Sequence, residues 1–164
     1  MINLSDFSSI FVANWKLNGN IDFINQYFKK LTPNSKNCVV ICSPSIFLNR
    51  LKINNINLFS GAQDVSIFDD GPFTGEISAN MLFNESIKFC LVGHSERRQH
   101  FNETNETVKK KSTKLIESKI IPIICVGETL EEKENKLTER VLSKQLEEGL
   151  SEVANDKNSI IAYE

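Results

Sequence analysis

The sequence lacks everything that would mark a membrane-spanning, secreted or nucleic-acid-binding chain. No apolar run approaches the ~18 residues of a membrane span. The start, Met-Ile-Asn-Leu-Ser-Asp, has neither the basic nor the apolar region of a secretion signal. Charge of one sign is not in excess: 19 Lys and Arg stand against 21 Asp and Glu, which excludes a basic footprint for nucleic acid and an acidic tail. Neither a G-x-G-x-x-G nor a P-loop occurs, so nucleotide binding is disfavoured. Cysteine is scarce, at four residues, and forms neither a C-x-x-C pair nor a zinc spacing. Cys38 and Cys42 flank Val39-Val40-Ile41 in a strand-like run, which holds their Cα atoms ~13 Å apart, beyond the ~7 Å limit for a disulfide. Cys90 and Cys125 also sit in strand-like runs. The expectation is four buried free thiols in a cytosolic chain, and the Asn-x-Ser/Thr triplets at Asn3, Asn84, Asn102 and Asn105 then have no significance.

What is present is a pattern. The 164 residues are 40% hydrophobic, enough for one domain, residues 1–164, that buries about two thirds of its unfolded surface. Strand-like apolar runs fall at Ile10–Ala13, Cys38–Cys42, Leu58–Ala62, Phe89–Val92, Ile120–Val126 and Ser159–Tyr163. Helical patterns alternate with them at Ile21–Lys30, Ile46–Leu51, Ala79–Ser86, Asn105–Ser118 and Leu137–Leu150. Glu131-Glu132-Lys133-Glu134 reads as a solvated helical face. Apolar strands alternating with amphipathic helices predict βα units around a parallel sheet covered on both sides. Six such strands fit an open doubly wound sheet, or six of the eight strands of a (β/α)8 barrel, which needs about 250 residues. A strand ending at the last residue has no covering helix, so an N-terminal portion of a longer protein is the expectation.

Chemistry gathers where the strands stop, the end at which α/β folds place their sites. Asn14 and Lys16 follow the first run; two residues apart in extended chain, they would point the same way while Trp15 points opposite. Lys16 is then either a fixed cation beside an amide, suited to an anionic substrate, or a solvated loop lysine. His94 follows Gly93 at the end of the fourth run, where it is expected to open a helical turn whose dipole favours a neutral imidazole able to donate to a carbonyl oxygen. Glu96 with Arg97 or Arg98 is expected to form an ion pair fixing this turn, and His100 to lie on the surface. Glu164, at the rim of the sixth run, suits a general base. Cation, neutral imidazole and carboxylate together point to proton abstraction beside a carbonyl. The 16-residue stretch Gln63–Ser78 carries Ile67, Phe68 and Phe73 around Gly71-Pro72 and Gly75. Such a loop either meets a partner or folds back on its own domain.

The stretches Phe11-Val12-Ala13-Asn14-Trp15-Lys16-Leu17-Asn18-Gly19, Gly61-Ala62-Gln63-Asp64-Val65 and Gly71-Pro72-Phe73-Thr74-Gly75-Glu76-Ile77-Ser78-Ala79 resemble the triosephosphate isomerase family. So do Val92-Gly93-His94-Ser95-Glu96-Arg97-Arg98, Pro122-Ile123-Ile124-Cys125-Val126-Gly127-Glu128-Thr129 and Ile161-Ala162-Tyr163-Glu164, all in family order. The resemblance implies a TIM (β/α)8 barrel represented by six of its eight βα units. It implies a glycolytic isomerase of glyceraldehyde 3-phosphate and dihydroxyacetone phosphate. Glu164 would be the base, His94 the polarising donor and Lys16 the cation, with Asn14 beside it binding substrate. Glu96 resembles the family's acidic neighbour of Lys16, and Ser95 a contact of the resting base. The loop with Phe73, Thr74 and Gly75 resembles an intersubunit loop, implying a homodimer through residues 63–78. No metal or organic cofactor is expected. The family's lid after the Glu, and its Ser and Gly-Gly phosphate loops, have no counterpart in these residues. The alternative is therefore an inactive barrel segment that needs a C-terminal piece or partner.

Overall fold

A computed structural model describes residues 2–31, 36–51 and 57–164. Six strands, β1 (Ser9–Asn14), β2 (Asn37–Cys42), β3 (Leu58–Ala62), β4 (Phe89–Val92), β5 (Ile121–Val126) and β6 (Ile160–Tyr163), form one sheet in sequence order. All five pairings are parallel, with Cys90 opposite Pro122 and Val126 opposite Tyr163. The helices are α1 (Ile21–Lys30), α2 (Ala79–Asn84), α3 (Ser95–Phe101), α4 (Asn105–Glu117), α5 (Leu130–Glu134) and α6 (Thr138–Gly149).

The strand order decides between the two architectures that fit the sequence. In a doubly wound sheet the order reverses at a switch point, and helices cover both faces. Here every crossover steps to the next neighbour in the same direction. Parallel crossovers share one hand, so stepping one way collects the helices on one face and leaves the other to curl inward. That is the wall of a (β/α)8 barrel, with six strands in place.

Side-chain alternation fills both faces. Cys38, Val40, Cys42, Phe89, Leu91, Ile121, Ile123 and Cys125 cluster on the inner face with Leu4 of a short N-terminal 3-10 turn. The opposite parity, Cys90, Val92 and Ile124, packs on Leu82 of α2 and on Val108 and Leu115 of α4. Ile41 and Leu58 pack with Trp15 and with Ile24 of α1. Burial on both faces explains why these strands read as unbroken apolar runs.

Two elements differ from expectation. Ser45–Arg50 is a 3-10 segment, where the sequence suggested an α-helix over Ile46–Leu51. Pro44 precedes it without a side-chain cap, and so short a segment does not repay the cost of α-helix nucleation. Conversely, Ser95–Phe101 is a full helix, capped by His94 at one end and by left-handed Asn102 at the other. Among the described residues no helix is long and apolar enough to cross a membrane.

All four cysteines are free and buried, as their spacing predicted. Burial pushes the thiols of Cys42 and Cys125 up to about 12, against an ordinary value of 9.0. The folded chain thus keeps thiol protons that the unfolded chain releases. This stabilisation is complete below about pH 9 and is lost as pH rises toward 12, by up to about 1.4 kcal/mol per pH unit per thiol. Urea midpoints should therefore fall more steeply between about pH 9 and pH 11 in the parent chain than in a Cys42→Ala/Cys125→Ala variant. Equal slopes would show that these thiols do not set the alkaline limit.

Candidate active site

At the end of β1 the chain leaves the sheet in a defined way. Trp15 donates its N–H to Cys42 O at 2.9 Å, and its ring is buried edge-on against Phe23 and Tyr27. Lys16 then takes a left-handed conformation, φ 52°, with its N–H on Asn14 Oδ1 at 2.9 Å. The expectation that Asn14 and Lys16 share a face of extended chain is therefore not met. An Asn-initiated turn places Lys16 instead, because Asn14 satisfies the N–H that the ladder no longer covers. Gln63 Nε2 secures the same turn, lying 2.9 Å from Lys16 O, 3.1 Å from Cys42 O and 3.3 Å from Asn14 Oδ1.

At the end of β4, Gly93 turns the chain with φ 71°, and His94 caps α3. Nδ1 of His94 accepts the N–H of Glu96 at 3.2 Å. A backbone N–H can only donate, so Nδ1 is the acceptor and Nε2 carries the proton. Glu96 Oε2 also lies 3.5 Å from Nδ1, but the shorter backbone contact fixes this assignment. Nε2 reaches Glu164 Oε1 at 2.8 Å, and Glu164 Oε2 accepts the Ser95 N–H at 2.8 Å. Glu164 itself follows β6. Its N–H donates to Val126 O at 2.9 Å, and its carbonyl oxygen lies only 2.6 Å from where a Cβ on Gly127 would stand. A side chain at Gly127 would therefore force the backbone of Glu164 to shift.

Lys16 Nζ bonds Glu96 Oε1 at 2.8 Å. The Glu96 hydrogen bond and charge hold the Lys16 ammonium above its usual range, with a smaller contribution from the Glu164 charge, and Lys16 lowers Glu96 in turn. Glu96 thus pairs with Lys16, as the family resemblance implied, and not with Arg97 or Arg98. The arginines are engaged elsewhere: Arg97 with Asp64 at 2.7 Å, and Arg98 with the carbonyls of Gly93 at 2.7 Å and Cys125 at 3.3 Å. His100 is exposed, as expected.

Sequence reasoning missed the buried ion network behind this turn. Lys111 of α4 bonds both Glu103 and Asp64, and Glu103 Oε2 accepts the Gly93 N–H at 3.0 Å. Desolvation raises the Asp64 carboxyl, opposed by the Lys111 and Arg97 charges. A signal was available: Lys111 shares the apolar face of α4 with Val108 and Leu115, where an unpaired lysine would be costly.

The 63–78 stretch folds back on its own domain at its base and leaves its tip exposed. Val65 and Ile77 pack into the domain, and Phe68 stacks on Phe73 with centroids 3.8 Å apart. Pro72, Thr74 and Gly75 at the tip remain exposed. Beside the loop opens a cleft of about 600 Å³, lined by Asn14, Lys16, Gln63, His94, Glu96 and Ile77 among others.

Comparison with known proteins identifies the family. The sequence model of the triosephosphate isomerase family matches residues 9–164. Triosephosphate isomerase of Clostridium tetani is 42% identical over 163 residues, which cover 95% of this chain and 64% of that protein. The enzyme of Clostridium botulinum is 39% identical over 164 residues, covering 96% and 66%. The crystal structure of triosephosphate isomerase from Bartonella henselae superposes with a TM-score of 0.85 at 33% identity, covering 94% of this chain and 66% of that one. The chain belongs to the triosephosphate isomerase family. It spans just under two thirds of the length of these relatives.

Gln63 supplies a direct test of how the Lys16 turn is held. Gln63→Ala removes the side-chain donor from Lys16 O, while Cys42 O keeps the Trp15 N–H and Asn14 Oδ1 keeps the Lys16 N–H, a loss of about 1 kcal/mol on the usual scale for a hydrogen bond. The Lys16 amide should exchange with solvent faster in the variant than in the parent chain. Unchanged exchange would show that Asn14 holds the turn alone.

Proposed function

We propose that the full-length protein interconverts glyceraldehyde 3-phosphate and dihydroxyacetone phosphate, with Glu164, His94 and Lys16 as its catalytic residues. The observation that carries this reading is the 2.8 Å contact between protonated Nε2 of His94 and the Glu164 carboxylate, beside the Lys16 ammonium. A carboxylate base, a neutral imidazole donor and a fixed cation are the groups that proton transfer beside a carbonyl requires, and this family is the type case of that pairing. With substrate between them, Glu164 takes the proton from the carbon next to the carbonyl and returns it to the neighbouring carbon. His94 donates the Nε2 proton to the carbonyl oxygen and recovers one from the adjacent hydroxyl, so the net change is an aldose–ketose shift. Lys16 faces the negative charge of the enediolate and the phosphate, with Asn14 fixing its backbone. Ser95 and Glu96 are supporting residues: the Ser95 N–H parks the resting base, and Glu96 holds both the Lys16 ammonium and, through its N–H, the tautomer of His94. The four buried thiols suit a reducing, cytoplasmic compartment.

Glu164→Gln keeps the shape of the side chain and removes its basicity. Turnover of glyceraldehyde 3-phosphate should fall by at least the ~10²–10⁴-fold expected of a positioned general base, while substrate binding persists. Near-normal turnover would remove Glu164 from the mechanism.

The same reading extends to a homodimer in which the loop tip at Phe73, Thr74 and Gly75 enters the cleft beside Lys16 of a second copy. The exposed tip and the cleft lined by Gln63 and Glu96 support it. Thr74 is exposed in the isolated chain, so Thr74→Arg should leave the subunit's own thermal stability unchanged. It should shift sedimentation toward monomer and lower activity. A fully active dimer would place the interface elsewhere.

A further inference from the structure

We propose that Glu103 and Arg98 are positioning residues for His94, acting through the backbone of Gly93. Gly93 has left the β4 ladder, and its two polar groups are taken by charged side chains from opposite directions. Its N–H donates to Glu103 Oε2 at 3.0 Å, and its carbonyl accepts Arg98 Nε at 2.7 Å. The residue has no freedom to move between them. A Cβ there would stand 2.9 Å from Arg98 Nη2, 2.9 Å from Val108 Cγ2 and 3.2 Å from Cys125 O.

Each tether is itself anchored. Glu103 is buried and bonded to Lys111, which also holds Asp64 at 2.6 Å. Arg98 continues through Nη1 to Asn105 Oδ1 at 2.7 Å, and Asn105 to Glu148 Oε2 at 2.9 Å. The two peptides that meet at Gly93 are thereby both held: Val92–Gly93 through its N–H to Glu103 and on to Lys111 of α4, and Gly93–His94 through its carbonyl to Arg98, Asn105 of α4 and Glu148 of α6. Together the two planes set where the imidazole stands, and so whether Nδ1 meets the Glu96 N–H while Nε2 meets Glu164. A swing moving the ring by about 1 Å would break both contacts, a displacement on the scale that costs up to ~10²-fold in rate. Charge-assisted bonds to a glycine amide and carbonyl are a costly way to secure an ordinary turn, and an effective way to hold a ring that must keep one tautomer.

This inference rests on His94 as the polarising donor, but it can be read from the imidazole itself, independently of turnover. The experiment is ¹⁵N imidazole NMR of the full chain labelled in histidine, with His100→Gln to assign the two rings. Parent protein should show His94 in the single Nε2–H tautomer and a Gly93 amide strongly protected from exchange. Glu103→Ala should mix the tautomers and expose that amide. Glu103→Gln, whose amide oxygen can still accept the Gly93 N–H, should restore both signatures, even though it too removes the charge opposite Lys111. In the isomerase assay Glu103→Ala should lower kcat by at least about tenfold with KM within about twofold, the split expected of a misplaced catalytic group. Glu103→Ala with an unchanged imidazole spectrum would overturn the proposal. So would Gln and Ala variants that behave alike, which would reduce Glu103 to the counter-charge of Lys111. If Glu103→Ala does not fold, free exchange of the Gly93 amide in the parent protein would overturn it by itself. Absence of turnover in the parent protein would speak against the isomerase reading and leave the imidazole result standing.

Discussion

A strand that leaves a sheet abandons backbone donors and acceptors that must find other partners, and the functional end of this molecule is organised by that requirement. At the ends of β1, β2, β4 and β5 side chains supply replacements. Asn14 accepts from Lys16, and Gln63 donates to the carbonyls of Lys16 and Cys42. Glu103 and Arg98 take the two sides of Gly93. Gln145 reaches from α6 to bond both the N–H and the carbonyl of Gly127, each at 2.8 Å. Glu164 accepts the Ser95 N–H. The cross-links tie neighbouring strand ends to one another, so Lys16, His94 and Glu164 stand on a braced rim rather than on independent loops.

The fold was legible because its signal is periodic. Runs such as Cys38–Cys42 and Ile120–Val126 could only be strands buried on both sides, and their alternation with amphipathic helices fixed the class. The choice between barrel and open sheet was not in that pattern. It depends on the direction of successive crossovers, a property of how units pack and not of any one unit. Boundaries failed where a cap was weak: the segment after Pro44 lacks a side-chain acceptor for its first N–H groups and winds tightly, while His94 supplies one and starts a helix the sequence only hinted at.

The site was legible as residue types and not as partnerships. His94, Lys16 and Glu164 stood out by their place after strand-like runs. Which charge Glu96 would meet did not, because Lys16 is 80 residues away in the chain and Arg97 is adjacent. Proximity in sequence favoured the arginines; the sheet brought the lysine closer and turned the arginines inward to carbonyls and buried acids. Glu103 and Lys111 escaped notice for a related reason. Glu103 stands in the short link between α3 and α4 and looks like an ordinary surface charge, and although Lys111 falls on the apolar face of α4, only the three-dimensional pairing shows what offsets the burial of both.

Lys16 sits in a backbone conformation that glycine or asparagine would accept far more readily, at a cost of about 1–3 kcal/mol for a residue of its kind. A chain selected for stability alone would drift away from lysine at this position. A lysine here sets folding free energy against reach: the same twist that strains the backbone swings a four-carbon arm from the rim of one strand across to Glu96 at the rim of another. A glycine there would relax the backbone and remove the arm that reaches Glu96.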